Sequence, residues 1–212
     1  MTTLTEVFQD GGFLVAELPG LASRRAGTLA SGQNLNAGAV VSRVLTLGAA
    51  TVVSSTGNGT VTVNAAVGED AVEGVYRLLC VAAAANAGTF NLNAPDGSLI
   101  RQITVGGGAH ASTHLSITIA DGATDFIVGD NYTIAVTAGN YTVLAPAATD
   151  GTQIARGVLL EAVNATAAAR PCVAVYKEAV LNSAEIVWPA GITSPQQTIA
   201  TSQLADVGII LR

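Results

Sequence analysis

The sequence contains little charge. Only 11% of its residues are Asp, Glu, Lys or Arg, whereas a typical globular domain has about 25%. A monomer needs a polar, solvated surface, so this scarcity favours a protein that buries part of its surface in an assembly. A monomer covered by Thr, Ser, Asn and Gly is the alternative that the composition leaves open.

Basic residues and long apolar runs are also scarce. Lysine occurs once, at Lys177, and the eight arginines are scattered, so no basic stripe is present to neutralise the phosphates of a nucleic acid. The apolar run at residues 78–85 is far too short to span a bilayer. The first residues, MTTLTEVFQDGG, lack the basic start and apolar core of a signal peptide. We therefore expect no nucleic-acid partner, no membrane partner and synthesis in the cytoplasm.

Groups that could carry catalysis or bind a metal are few. Cys80 and Cys172 are 92 positions apart, each in an apolar run, and are expected to be buried thiols. The glycine run and the alternation predict a loop and a strand around His110 and His114, and on a single strand the two would lie about 13 Å apart, too far to share a metal ion. The three aspartates of DGATDFIVGD lack the spacing of a calcium loop. We find no nucleophile or phosphate-loop motif, and therefore predict no catalytic residue, no metal and no cofactor.

The middle of the chain, by contrast, carries regular strand signals and most of the net negative charge. Between residues 57 and 137, several short segments alternate apolar and polar residues, which predicts a small antiparallel β-sandwich. Seven acidic and two basic residues lie between Gly57 and Val136, a net charge of −5, whereas the remainder has eight acidic and seven basic residues, or −1. This change of composition predicts a domain at 57–137 inserted into a discontinuous domain formed by 23–56 and 138–212.

After the insert the predicted elements are strands at 157–163, 172–177 and 184–188 and a short helix at 198–207. With the strands before the insert, they complete a mainly β protein.

The first 22 residues are predicted to form an N-terminal arm with two short apolar pieces separated by Asp-Gly-Gly and ended by Pro-Gly. Such a segment is either the first strand of a domain or an extended arm that pairs with the edge of a partner's sheet. The candidate binding residues of the arm are Thr5, Val7, Phe8, Phe13, Leu14 and Val15. Next to the arm, Arg24 and Arg25 could form a salt bridge with an acidic group of a partner.

Three motifs outside the insert occur in an order that resembles the lambda-type phage head decoration proteins. The first is RRAGTLASGQNLNAGAVVSRV at 24–44, with Gly-Thr-Leu, Ser-Gly-Gln and Ala-Gly-Ala-Val. The second is ARGVLLEAVNATAAARPCVAVYKEAVLNSAEIVW at 155–188, and the third is the ending LADVGIILR. The likeness covers roughly 24–55 and 145–212, so the insert is a departure from the shorter members.

The resemblance implies a β-clip fold, a homotrimer on the phage head, and an arm that becomes ordered by adding to a sheet of the major capsid protein. It also implies that the protein stabilises the expanded head, from outside, against the pressure of the packaged DNA. The location would then be the outer surface of the virion, and the protein would not be an enzyme. Two rival hypotheses are another virion part, such as a tail-tube or fibre module with an adhesive immunoglobulin-like insert, and a carbohydrate-binding or hydrolytic β-protein.

Overall fold

The computed structural model describes residues 9–18 and 22–212, and most of its elements are β-strands, which confirms the predicted mainly β class. In chain order the elements are β1 (Leu14–Glu17), β2 (Arg24–Leu29), β3 (Gln33–Leu35), β4 (Val40–Ser54), β5 (Thr60–Val67), β6 (Gly74–Ala84), β7 (Ala87–Asn93), β8 (Leu99–Thr104), β9 (Ala109–Ala111), β10 (Leu115–Ala120), β11 (Asn131–Val143), β12 (Gly157–Leu159), β13 (Val163–Ala165), β14 (Arg170–Val175), β15 (Ala179–Leu181), a 3-10 helix (Ser183–Glu185), α1 (Ser194–Asp206) and β16 (Ile209–Leu211).

The chain divides into two compact units. Unit 1 comprises Met1–Val44, Asn140–Ala148 and Thr152–Arg212, and unit 2 comprises Leu45–Gly139 and Thr149–Gly151. Two long strands carry the chain from one unit to the other, because β4 begins in unit 1 and ends in unit 2, and β11 runs the opposite way. Unit 2 contains the segment 57–137 and extends beyond it because these two strands continue past the segment's ends.

Unit 1 contains a small barrel and a separate three-stranded sheet. Strands β2, β14, β12 and the start of β4 are neighbours in that order, and a parallel pairing between Tyr141 of β11 and Leu29 of β2 closes the barrel. The other sheet has the order β1-β15-β16, and β3 pairs with β13. One core cluster of unit 1 joins the three-stranded sheet to α1 through Phe13, Leu181 and Leu204.

Unit 2 has alternating strands around an aromatic and aliphatic core. Strands β11, β6, β7 and β8 are neighbours in that order, and β5, β10 and β9 form another sheet. Every second residue points inward, as in β10, where Leu115, Ile117 and Ile119 are fully buried. The rings of Phe90 and Phe126 meet edge to face with their centroids 5.0 Å apart. The alternation predicted for these strands is therefore confirmed.

A buried carboxylate fastens two loops of unit 2. Asp130 is only 2% exposed, and it accepts hydrogen bonds from the backbone N–H groups of Thr56 at 2.7 Å, Gly57 at 3.1 Å and Ile127 at 3.1 Å. Burial alone raises the pKa of this carboxyl, but the hydrogen bonds outweigh burial and hold the pKa below its usual value. The charged form is therefore the one that the fold stabilises.

Three predicted elements need correction. Of the strand predicted at 184–188 only Val187 pairs, in an isolated bridge with Ala39, because the side chain of Asn182 accepts from the N–H of Ala184 and starts a 3-10 helix. The strand predicted at 157–163 is two strands, since the chain turns at 160–162. Helix α1 begins earlier than predicted, because the N–H of Thr193 donates to Oε1 of Gln196 at 2.9 Å and forms part of a capping box.

Candidate docking surface at the N-terminal strand

The described part of the arm begins with a turn that is fastened to unit 1. The backbone N–H of Gly11 donates to the carbonyl of Leu160 at 2.8 Å, and the carboxylate of Asp10 accepts from the N–H of Ala162 at 3.0 Å. Gly11 has φ +69°, a left-handed conformation that glycine adopts without steric cost. The same two contacts explain why the chain turns after β12 instead of continuing as a strand.

Phe13 anchors the segment in the core. Its side chain is 2% exposed and belongs to the cluster that contains Leu181 and Leu204. Its carbonyl accepts a hydrogen bond from the N–H of Asn182 at 2.8 Å. The Phe13 ring therefore packs within its own chain. Any role of Phe13 in capsid binding would be indirect, by holding β1 in place.

Strand β1 lies at the edge of its sheet. It pairs antiparallel with β15, with Leu14 opposite Leu181 and Glu17 opposite Ala179, and β15 pairs with β16 on its other side. No strand of the described residues pairs with the outer side of β1, although the N–H of Leu14 already donates to the carbonyl of Gly11 at 3.0 Å, so this side is open to an added strand.

The exposed side chains of β1 are apolar. Val15 is 64% exposed and Leu18, just after the strand, is 41% exposed, whereas Leu14 is half-buried. An apolar strand with one unpaired side is the geometry that strand addition requires, because main-chain bonds supply affinity and side chains supply specificity. Of the predicted binding residues, Thr5, Val7 and Phe8 lie outside the described part of the chain.

Arg24 already has a partner within the chain. Its Nε and a terminal nitrogen donate to the two carboxylate oxygens of Glu17 at 2.9 and 2.7 Å, a bidentate pair that raises the pKa of Arg24. Between the two strands, the buried hydroxyl of Ser23 donates to the carbonyl of Glu178 at 2.7 Å and accepts from the N–H of Leu18 at 3.1 Å. These contacts join the end of β1 to the start of β2.

Arg25 is presented differently. Its guanidinium carbon lies 5.8 Å from the ring centroid of Tyr176, and Nζ of Lys177 lies 5.5 Å from the same centroid. No carboxylate of residues 9–18 and 22–212 lies within salt-bridge distance of Arg25, and its side chain is exposed. Of the two arginines predicted to meet a partner's acid, Arg25 is the one whose charge is open to solvent.

Elsewhere the described residues contain no group of three or more His, Cys, Asp or Glu side chains that could hold a metal ion. His110 lies on β9 and His114 just before β10, where its Nδ1 is 3.1 Å from the hydroxyl of Tyr76, so the two histidines do not share a strand. Cys80 and Cys172 are buried free thiols, as expected, and burial raises the pKa of both.

Among the residues that the structure describes, no helix has the length and apolar character needed to cross a membrane.

Sequence reasoning missed the partner of β1. Strand β15 has only three residues, Ala179–Leu181, and no alternation can be read from so short a segment. The apolar triplet Ala-Val-Leu after Glu178, which has φ +44°, is the signal that could have indicated it. Without β15, the sequence could not decide whether β1 pairs within its own chain or with another protein.

Comparison with known proteins places these features in a family. A solved structure of FlgL from Xanthomonas campestris is similar at 18% identity over 50% of this chain, with a TM-score of 0.32, and the similarity spans 34% of that chain. No curated protein matches. The family model of the bacteriophage lambda head decoration protein D matches residues 3–209, nearly the whole length. The chain therefore belongs to the bacteriophage lambda head decoration protein D family, a family of structural proteins of the phage head.

Proposed function

We propose that this protein binds the major capsid protein on the outside of the expanded phage head and stabilises the head against the pressure of the packaged DNA. Membership of the head decoration family already gives it a role and a location on the head. The observation that carries the finer proposal is the outer edge of β1, where Val15 is 64% exposed and no described strand covers the backbone. The protein would be made in the host cytoplasm before it reaches the particle.

Docking proceeds by addition of a strand. The outer edge of β1 and the residues before it, with Thr5, Val7 and Phe8, pair with a sheet of the capsid protein, and Val15 enters the contact. Phe13 and Leu14 serve the same contact from within, because they hold β1 against β15. Each hydrogen bond formed adds only about 0.5–1.5 kcal/mol net, so one short strand binds weakly.

Trimer formation would overcome this weakness. If three copies associate, as the family resemblance implies, each trimer presents three β1 edges to the head. Linked sites raise the overall affinity by about 10²–10⁴ without any new contact, because the second and third binding events are intramolecular. A protein that binds the assembled shell and not its free parts then stabilises the shell by mass action, by about 2.7 kcal/mol at a concentration 100 times Kd.

The two units would have different roles on the head. We place head binding in the discontinuous domain of 23–56 and 138–212, arranged as the β-clip of the family, together with the arm. The segment 57–137 would be an inserted sandwich that faces outward, where its net charge of −5 keeps particles apart. Arg25, whose charge is exposed, could pair with an acidic group of the capsid protein beside the β1 edge. Arg24 could do so only by leaving Glu17.

The test uses DNA-filled heads that lack decoration. Heads are mixed with the full protein, with a protein lacking residues 1–8, with Val15→Lys, or with Val75→Lys as a matched control. Val75 is 54% exposed and lies on β6 of unit 2, so the control adds the same charge far from the arm in sequence. The truncation and Val15→Lys both leave Phe13 in the core.

Bound copies per head and survival of heads on heating are measured for each. We expect the truncation and Val15→Lys to lose binding and protection, and Val75→Lys and a protein with 57–137 replaced by a short linker to keep both. If the truncated and Val15→Lys proteins protect as well as the full protein, docking through β1 is wrong. If the full protein itself leaves heated heads unprotected, the stabilising role is wrong.

A further inference from the structure

The second half of β4, residues 46–54, has an open side that we call the β4 edge. In its sheet β4 stands between β12 and β11, but β12 pairs only with Val40 and Val41. Beyond Val41 no strand within residues 9–18 and 22–212 continues along that side. Because successive peptide groups of a strand point to alternate sides, every second N–H and C=O of the β4 edge lacks a strand partner.

The side chains of the β4 edge are exposed on both faces of the strand. Val52 and Val53 are each 58% exposed, although neighbouring side chains point to opposite faces. Thr51 and Ser54 are exposed as well. Two large aliphatic side chains thus lie in water at the end of a strand that begins, in unit 1, with the buried residues Val40, Val41 and Ser42.

Two features that normally protect an edge strand, charged side chains and proline, are absent from the β4 edge. Natural edge strands carry lysine, other charged side chains or proline, which prevent unwanted pairing. From Val44 to Gly68 the sequence contains no charged residue and no proline. Strand β5, which lies within this uncharged stretch, is also the outermost strand of its sheet.

The position of the charges in unit 2 bears on which partner fits the β4 edge. Unit 2 contains eight acidic and two basic residues, a net charge of −6. The net charges of two copies of unit 2 therefore repel each other, but the residues of the β4 edge itself add no charge to this repulsion. A cationic partner would instead be attracted to the acidic residues, none of which lies in this stretch.

We propose that the β4 edge pairs antiparallel with the β4 edge of a second copy of this chain. The same uncharged, apolar strand is then present on both sides of the contact, and a two-fold axis relates them, as in isologous interfaces generally. This contact goes beyond the proposed function, because it joins unit 2 of one copy to unit 2 of another and does not use β1. On a decorated head it would connect neighbouring copies.

Hydrogen exchange of the free protein tests the contact directly. Amide exchange in residues 46–54 is measured over a range of protein concentrations, with sedimentation to give the state of association. We expect alternate amides of the β4 edge to exchange more slowly as concentration rises. We expect Val53→Lys to weaken self-association at least about tenfold, because a charged side chain on an edge strand opposes pairing with another strand.

The control is Val75→Lys, which adds lysine at an exposed valine of β6, a strand flanked by β11 and β7. It should associate as the unsubstituted protein does, and thermal unfolding should show both variants folded. Association of Val53→Lys that equals that of the control overturns the proposal. So does protection of the β4 edge in a species that sediments as a monomer, since the chain itself then covers the edge. Protection that appears only on heads assigns the edge to a head protein and also overturns the second copy as the partner.

Discussion

Replacing Phe13 by alanine tests whether β1 belongs to the folded core of unit 1. Phe13 is 2% exposed and packs in the cluster of Leu181 and Leu204. Truncation of a buried Phe to Ala costs about 3–5 kcal/mol, because transfer free energy is lost and a cavity remains. We expect Phe13→Ala to lower the free energy of unfolding of unit 1 by that amount.

The assay is equilibrium unfolding in urea followed by tryptophan fluorescence. The protein has one tryptophan, Trp188, and it packs against the same cluster as Phe13, so its emission reports on unit 1. Val15→Ala is the matched control, because Val15 is 64% exposed and such surface changes usually stay within about 0.5 kcal/mol. If Phe13→Ala lowers the free energy of unfolding by less than about 1 kcal/mol, Phe13 does not anchor β1 in the core and the account of β1 is wrong.

Three further predictions concern residues of both units. Gly27→Ala should destabilise unit 1 by about 1–3 kcal/mol, because its Cβ would lie 2.5 Å from Cε2 of Tyr141; urea unfolding that matches the parent protein would contradict this. Cys80 and Cys172 should react with a thiol reagent only when the chain unfolds, because both are buried and burial raises their pKa; rapid labelling in native buffer would be inconsistent with this. Asp130→Asn should cost about 1–3 kcal/mol at pH 7, measured by thermal unfolding. Since the folded pKa of Asp130 is lowered, its contribution is present above the unfolded value of about 3.9 and is lost as the pH falls through the folded value. The difference between the parent protein and Asp130→Asn should therefore shrink in acid, and a constant difference down to pH 2 would refute the carboxylate's role.

The strands of unit 2 were predictable because one face of each is buried. In β10, for example, Leu115, Ile117 and Ile119 alternate with polar residues, and this two-residue hydrophobic period can be recognised in the sequence. The segment at 184–188 has an equally apolar composition, but Asn182 bonds locally to its backbone and converts the start into a 3-10 helix. The break at 160–162 was invisible for another reason. It depends on Asp10 and Gly11, which are about 150 residues away in sequence.

The arm illustrates why sequence could find the candidate site but not assign its residues. An extended apolar segment needs a neighbouring strand, and its pattern is the same whether that strand is its own β15 or a partner's. In the structure a single strand has both kinds of surface. Phe13 packs in the core and the inner edge of β1 pairs with β15, whereas Val15 is exposed and the outer edge has no strand partner among the described residues. If the head protein docks at the outer edge, as we propose, docking is coupled to folding, since a partner can add to β1 only while Phe13 keeps β1 on β15. It follows that Phe13→Ala should weaken head binding although Phe13 never touches the head, whereas Val15→Lys should weaken binding without changing the stability of unit 1. A Phe13→Ala protein that is destabilised yet binds heads as tightly as its parent would separate the two roles and show that the capsid contact lies elsewhere.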